Sequence, residues 1–117
     1  MLDNLDDSIV DLIHNMLNDA KTKIVICKDR DKNFEFAYLY NINTKYIKNT
    51  LLDLKKEDLK SIVQNTNENY PKGLLYIFFK NVELTNAVGE IDQVELYIKI
   101  SILNKKIIVI SFHETNH

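Results

Sequence analysis

The chain has 117 residues, of which 45% are hydrophobic and 27% are charged, and its formal net charge is −2. These values fit one soluble globular domain over residues 1–117 and exclude a disordered or linker-rich chain. The single cysteine, Cys27, excludes an internal disulfide. The N-terminal residues are acidic and no long apolar run is present, so we expect a cytoplasmic protein that makes no membrane contact.

The first predicted element is an amphipathic helix over residues 8–20. Apolar residues such as Ile9 and Ile13 recur at helical spacing, and Ser8 has a side chain suited to the N-cap position. The short β-branched run at 23–28 is bounded by charged residues, so it predicts a strand.

The middle of the chain is less clear. Aromatic residues alternate over 34–40 as in a strand, but the flanking asparagines would also suit a short helix, so both structures remain open. Helical spacing predicts a helix over 44–54 and another short helical stretch over 57–63. Residues 64–73 have the composition of a loop.

The second half has the pattern of a β-meander. We predict a buried strand over 74–84, a turn over 85–92, and two further strands over 94–102 and 107–113. With helices mainly within residues 8–63 and the meander over 74–113, the predicted class is α+β, in which the N-terminal helices pack on the meander and one additional strand precedes it.

The side-chain period fixes the pairing of the last two strands. If their apolar sides share one face, a three-residue loop at 104–106 sets Tyr97 opposite His113 and Lys99 opposite Ser111. A two-residue loop would turn Ser111 inward. The sequence therefore predicts a phenol, an ammonium, a hydroxyl and an imidazole close together on one face of the sheet.

This set of groups suits acid–base chemistry on a phosphodiester. His113 could exchange a proton near neutral pH, Lys99 could neutralise charge in the transition state, and Tyr97 could position the phosphate or donate a proton. RNA brings its own nucleophile, the 2′-hydroxyl, so no metal would be needed. The alternative is the ordinary polar surface of a half-exposed sheet.

Three segments of the chain carry a resemblance to a known family. They read ELYIKISILNKKIIVISFHE (95–114), YIFFKNVEL (76–84) and YNINTKYIKNTLLDLKKEDL (40–59). They resemble the C-terminal hairpin, the preceding strand and a capped helical segment of MqsR-family toxins. The resemblance extends over most of residues 34–114 and is most specific in the last twenty of them.

The resemblance implies a bacterial toxin of a type II toxin–antitoxin system with a RelE-like ribonuclease fold. Such toxins are endoribonucleases that cut messenger RNA without a metal or a cofactor, and a cognate antitoxin protein holds them in check. The expected partners are therefore an antitoxin and RNA. The resemblance also favours a helix over 34–40.

Carried over residue by residue, the resemblance assigns a catalytic set. It consists of Tyr97, Lys80, Lys99 and His113. A lysine of the family that contributes to function falls within about one residue of Lys60, which becomes a candidate for substrate binding.

Three further candidates for substrate binding lie in the closing hairpin. Ser111 is one because it lies opposite Lys99, and Lys105 and Lys106 are the others because they lie at the tip of the hairpin.

A second hypothesis belongs to another class of protein. The negative net charge and the acidic segment over residues 83–95 also fit a non-catalytic module of the same fold that binds another protein, such as an inhibitor or immunity protein encoded by a phage or mobile element. In that case charge reversal at Glu90, Asp92 or Glu95 would disturb function.

Overall fold

The computed structural model describes residues 2–27, 31–66 and 73–115. Within them the chain forms three helices and a five-stranded mixed sheet, so the predicted α+β class is confirmed. The elements are α1 (Leu2–Leu17), β1 (Lys23–Ile26), α2 (Asp31–Tyr40), α3 (Thr44–Leu52), a 3-10 turn (Lys56–Asp58), β2 (Leu59–Gln64), β3 (Leu74–Thr85), β4 (Ile91–Leu103) and β5 (Lys106–Glu114).

The strands lie in the order β1-β5-β4-β3-β2. Strands β2 to β5 pair antiparallel in sequence order, whereas β1 pairs parallel with β5 at one edge of the sheet. The predicted meander of the second half is therefore present, and the predicted N-terminal strand extends it on the β5 side.

The predicted helical stretch over 57–63 is wrong. Only the 3-10 turn is helical there, and from Leu59 onward the chain pairs with β3, with Ile62 opposite Tyr76. The β-branched residues Ile62 and Val63 suit a strand, and pairing with the edge of β3 satisfies backbone groups that would otherwise lack partners.

The first helix has different bounds from those predicted. It begins at Leu2 and ends at Leu17, so Ser8 lies inside the helix and the predicted N-cap is wrong. The sequence explains the extension, because Leu2 and Leu5 continue the helical spacing of Ile9. In the described residues no helix combines the length and the apolar character needed to cross a membrane.

Residues 34–40 form part of helix α2, which resolves the alternative that the sequence left open. Phe36 is buried against Phe112 of β5, with ring centroids 6.4 Å apart, whereas Phe34 and Tyr38 are exposed. The aromatic residues therefore point in several directions around a helix instead of to the two faces of a strand.

The helices contribute to one main core with a single face of the sheet, called the inner face below. Alternate residues of β4, among them Leu96, Ile98 and Ile100, point to this face. The side chains with no exposed surface in this core include Ile13, Leu51, Phe78, Leu96, Ile98, Ile100, Ile107 and Val109. The opposite face, called the outer face, carries Phe79, Tyr97, Lys99, Ser111 and His113.

Candidate functional site

The predicted cross-strand pairs of the closing hairpin are confirmed. Tyr97 lies opposite His113, and Lys99 lies opposite Ser111. The predicted three-residue loop is wrong, because Leu103 pairs with Lys106 and leaves a two-residue turn. Asn104 has a φ of 56° in this turn, a left-handed conformation that asparagine tolerates better than most residues.

A β-bulge in β5 reconciles the short turn with the predicted pairs. Ile100 pairs with Val109 but Lys99 pairs with Ser111, so Ile110 is one extra residue on the β5 side. A bulge of this kind resets the alternation of side chains between the two faces. As a consequence Ser111 and His113 point to the outer face, although the turn alone would have directed them inward.

The outer face carries a row of rings that crosses three strands. The centroid of Tyr97 lies 5.3 Å from that of His113 and 5.8 Å from that of Phe79. At the far end, the ammonium of Lys60 in β2 lies 5.6 Å from the centroid of Phe79. Lys60, Phe79, Tyr97 and His113 therefore form a continuous row, called the ring row below.

His113 stands at the end of the ring row next to helix α2. Its side chain is largely buried, with 8% of the residue exposed, and it borders a cleft of about 260 Å³. The lining of this cleft consists of Lys32, Glu35, Phe36, Leu39, His113 and Glu114.

One contact of His113 fixes its tautomer. The Nδ1 atom lies 2.9 Å from the carbonyl oxygen of Glu114, which can only accept a hydrogen bond. Nδ1 therefore carries the proton in the neutral ring, and Nε2 carries the lone pair.

Lys99 and Ser111 form the next row of the outer face. Lys99 is half-buried, whereas Ser111 has no exposed surface. Among the described residues, the hydroxyl oxygen of Ser111 has no hydrogen-bond partner. Because Ser111 has no exposed surface, this hydroxyl is not accessible to a molecule bound on the outer face, and the structure gives no support to its predicted contact with the substrate.

The structure does not bring Lys80 to this set, which contradicts its predicted grouping with Lys99. Lys80 pairs with Leu96 and therefore belongs to the inner face, one residue out of phase with Phe79. Its ammonium lies 3.2 Å from a carboxylate oxygen of Asp53 and 3.7 Å from one of Asp58. It also donates to the backbone oxygen of Asp53, so its contacts are structural.

The predicted substrate-binding lysines fall in two different places. Lys60 lies in the ring row, as described above. Lys105 and Lys106 are exposed at the turn between β4 and β5, and Lys106 is the first residue of β5. Because each strand residue advances about 3.3 Å, Lys106 lies roughly 20 Å from His113, too far to contact the same phosphate.

Two contributors to the site were missed by the sequence reasoning. Phe79 links Lys60 to Tyr97, and the sequence carries no sign of this role, because only the pairing of β3 with β4 tells whether Phe78 or Phe79 lies beside Tyr97. Asn33 of α2 bonds through its side chain to the backbone of β5 on both sides of Ser111. No local pattern identifies such a contact, since the bonded residues are separated by 77 and 79 positions.

The acidic segment over 83–95 is largely engaged within the protein. Glu83 accepts a hydrogen bond from Gln93 at 2.7 Å, and Glu95 accepts one from Thr115 at 2.9 Å. Asp92 accepts hydrogen bonds from Tyr40 at 2.8 Å and from Asn86 at 3.2 Å. Two of the three residues proposed for charge reversal, Asp92 and Glu95, thus hold the fold together.

The contact with Asp92 also alters the phenol of Tyr40. The hydrogen bond to Asp92, assisted by burial and by the nearby negative charges, raises the pKa of Tyr40 to about 12. The protonated phenol is therefore favoured in the folded state, where it ties the end of α2 to the start of β4.

Comparisons with protein-family models, curated proteins and solved structures find no match to this chain. In residues 2–27, 31–66 and 73–115, no group of three or more histidine, cysteine, aspartate or glutamate side chains is arranged to hold a metal ion.

Proposed function

We propose that this protein is a small endoribonuclease with a RelE-like fold, similar to the MqsR-family toxins, and that RNA binds on the outer face. The observation that carries the proposal is the cross-strand pair of Tyr97 and His113, with Lys99 in the adjacent row. An imidazole, a phenol and an ammonium within one or two residues of each other supply the groups that cleavage of a phosphodiester requires.

In the proposed reaction the 2′-hydroxyl of RNA attacks the adjacent phosphorus. Nε2 of His113 takes the proton of that hydroxyl, and the ammonium of Lys99 compensates the charge that develops on the phosphate oxygens. The phosphorus–O5′ bond breaks as the new bond forms, and the phenol of Tyr97 donates a proton to the leaving oxygen. The products are a 2′,3′-cyclic phosphate and a 5′-hydroxyl.

The remainder of the ring row would bind the RNA next to the scissile bond. A base stacked on Phe79 is worth about 1–3 kcal/mol in proteins that bind single strands. Lys60, which is exposed and has a long flexible stem, could leave the ring and contact a phosphate. This arrangement supports single-stranded RNA as the substrate, because the bases of a duplex are not available for stacking.

Incubation of the purified protein with single-stranded RNA in EDTA tests this proposal. We expect fragments that end in a 2′,3′-cyclic phosphate, with none produced from RNA in which every 2′-hydroxyl is methylated. His113→Ala, purified in the same way, controls for a contaminating ribonuclease. Intact RNA at saturating protein, or equal cleavage by the wild type and His113→Ala, would contradict the proposal.

A second candidate function is a protein-binding module that acts through the turn between β3 and β4. Val88 and Ile91 are exposed at this turn to 78% and 65%, and Glu90 lies between them. The side-chain oxygen of Asn86 accepts from the backbone of Val88 and Glu90, so the tip has a defined shape.

The two candidates predict opposite sensitivities to substitution. A binding module should lose its interaction in Val88→Ser or Glu90→Lys and keep it in His113→Ala. An endoribonuclease should show the reverse, with cleavage lost only in His113→Ala.

A further inference from the structure

We propose that Asn33 is a positioning residue of the outer face, because its side-chain amide holds the β-bulge that turns Ser111 and His113 outward. The structural part of this inference stands on the hydrogen bonds of Asn33, whereas its consequence for catalysis rests on the proposed function. Asn33 belongs to α2, an element that contributes no group to the proposed chemistry.

The amide of Asn33 takes the place of a neighbouring strand. Its Nδ2 donates to the carbonyl oxygen of Ile110 at 2.8 Å, and its Oδ1 accepts from the amide of Phe112 at 2.9 Å. These two backbone groups flank Ser111. A residue of an adjacent parallel strand would make the same pair of bonds with its own N–H and C=O.

No strand continues along this edge of β5 within the described residues. β1 ends at Ile26, and its last contact with β5 is the bond from the amide of Cys27 to the oxygen of Val109 at 3.0 Å. Asn33 also donates to the oxygen of Cys27 at 3.0 Å, so one side chain joins the end of β1 to the bulge. Asn33 is only 6% exposed, so these bonds are shielded from water.

The alternative register shows what the bulge achieves. If the pairing of Ile100 with Val109 continued without a bulge, Lys99 would face Ile110 and Tyr97 would face Phe112. His113 would then point inward, into the core, and Phe112 would lie on the outer face. The bulge separates the two arrangements, and Asn33 bonds to the extra residue, Ile110, and to Phe112, which already follows the shifted register.

Substitution of Asn33 by aspartate tests the inference with little change in shape. In Asn33→Asp the carboxylate still accepts from Phe112, but the donor to Ile110 and Cys27 is lost, and a carboxylate oxygen faces two carbonyl oxygens. We expect the contact between the Tyr97 and His113 rings to be lost, observed as the disappearance of their nuclear Overhauser effect. If the proposed function holds, kcat for RNA cleavage should fall roughly 10- to 100-fold with a small change in KM.

Asn43→Asp is the matched control. Asn43 accepts from the amide of Tyr46 at the N-terminus of α3, a role that aspartate fulfils equally well. This variant should retain the ring contact, the fold and any activity. Since the ring contact is measured without RNA, the test of Asn33 remains decisive even if the protein has no ribonuclease activity.

Hydrogen exchange in the unmodified protein provides a second test that does not depend on the variant folding. The amide of Phe112 should exchange slowly, like an amide inside a sheet, because Asn33 protects it. Rapid exchange of Phe112, or a folded Asn33→Asp protein that keeps the contact between Tyr97 and His113, would overturn the inference.

Discussion

Tyr97 and His113 are cross-strand neighbours whose ring centroids lie 5.3 Å apart on the outer face of the sheet. This relationship depends on one additional residue, Ile110, which shifts the alternation of β5 after a tight two-residue turn. The imidazole is also held by the carbonyl of Glu114 and lies beside the cleft next to α2. The candidate site thus depends on the tight turn and the bulge in the pairing of β4 with β5.

Removal of the imidazole should abolish cleavage. We expect His113→Ala to lower kcat roughly 10²–10⁴-fold, the usual contribution of general acid–base catalysis, with KM little changed. Free imidazole added to the reaction should restore part of the rate, since the variant leaves space beside Tyr97. His14→Gln on α1 serves as the control and should cleave RNA at the wild-type rate.

Substitutions of Lys80 and Lys99, which the sequence placed in one catalytic set, should have different effects. Lys99→Met should reduce RNA cleavage roughly 10²-fold or more, because the charge on the phosphate loses its compensation. Lys80→Met should retain cleavage within about twofold but lower the free energy of unfolding by about 1 kcal/mol, since Asp53 is 73% exposed and its ion pair is screened. Cleavage assays and urea unfolding of both variants check this prediction, which a loss of cleavage in Lys80→Met would refute.

The ring row should contribute to binding more than to the chemical step. Phe79→Ala should raise KM for a short RNA by about tenfold, the value expected for loss of one stacked base, while kcat changes little. Phe34→Ala is the matched control, because Phe34 is 66% exposed on α2 outside the ring row. Equal effects of the two substitutions would show that Phe79 has no specific role.

The bond between Tyr40 and Asp92 should stabilise the fold in a pH-dependent manner. Tyr40→Phe should lower the free energy of unfolding by about 1–2 kcal/mol at neutral pH. Because the folded state raises the pKa of Tyr40 from 10.0 to about 12, the bond contributes fully below pH 10 and is lost as the pH rises through 12.

The difference between the wild type and Tyr40→Phe should therefore shrink over that alkaline range. Unfolding in denaturant at several pH values measures it. Tyr38→Phe controls for the general effects of alkali, since Tyr38 is 84% exposed. A difference between wild type and Tyr40→Phe that stayed constant up to pH 12 would argue against the assigned bond.

The pairing of the last hairpin could be predicted because the alternation of polar and apolar residues near its end assigns each side chain to one face. Ser111 and His113 flank Phe112, and this alternation defines the outer face of β5. The turn could not be predicted in the same way. Residues 107–110 are all aliphatic, so they fit either phase of the alternation and conceal the position of the bulge.

The same ambiguity explains the error at Lys80. It follows two phenylalanines, Phe78 and Phe79, and only the three-dimensional pairing tells which of the two shares its face with Tyr97. The long stem of Lys80 allows its charge to reach Asp53 and Asp58 from the inner face. The sequence alone therefore gave no reason to separate Lys80 from Lys99.

Two further features depend on contacts that are distant along the chain. β2 forms where helical spacing was expected, since the edge of β3 provides a pairing partner. Asn33 bonds to Ile110 and Phe112 from a helix whose local sequence carries no sign of that role. Such contacts arise only once the sheet and α2 are assembled.

The position of bound RNA is the most direct test of the account. A short RNA with every 2′-hydroxyl methylated cannot be cut, so its binding can be followed by backbone and side-chain NMR of the labelled protein. We predict that the shift changes concentrate at Lys60, Phe79, Tyr97, Lys99 and His113 and leave Lys80 and Lys105 unaffected. Changes centred on the turn at Val88, or no changes at millimolar RNA, would contradict the assignment of the outer face as the site of RNA cleavage.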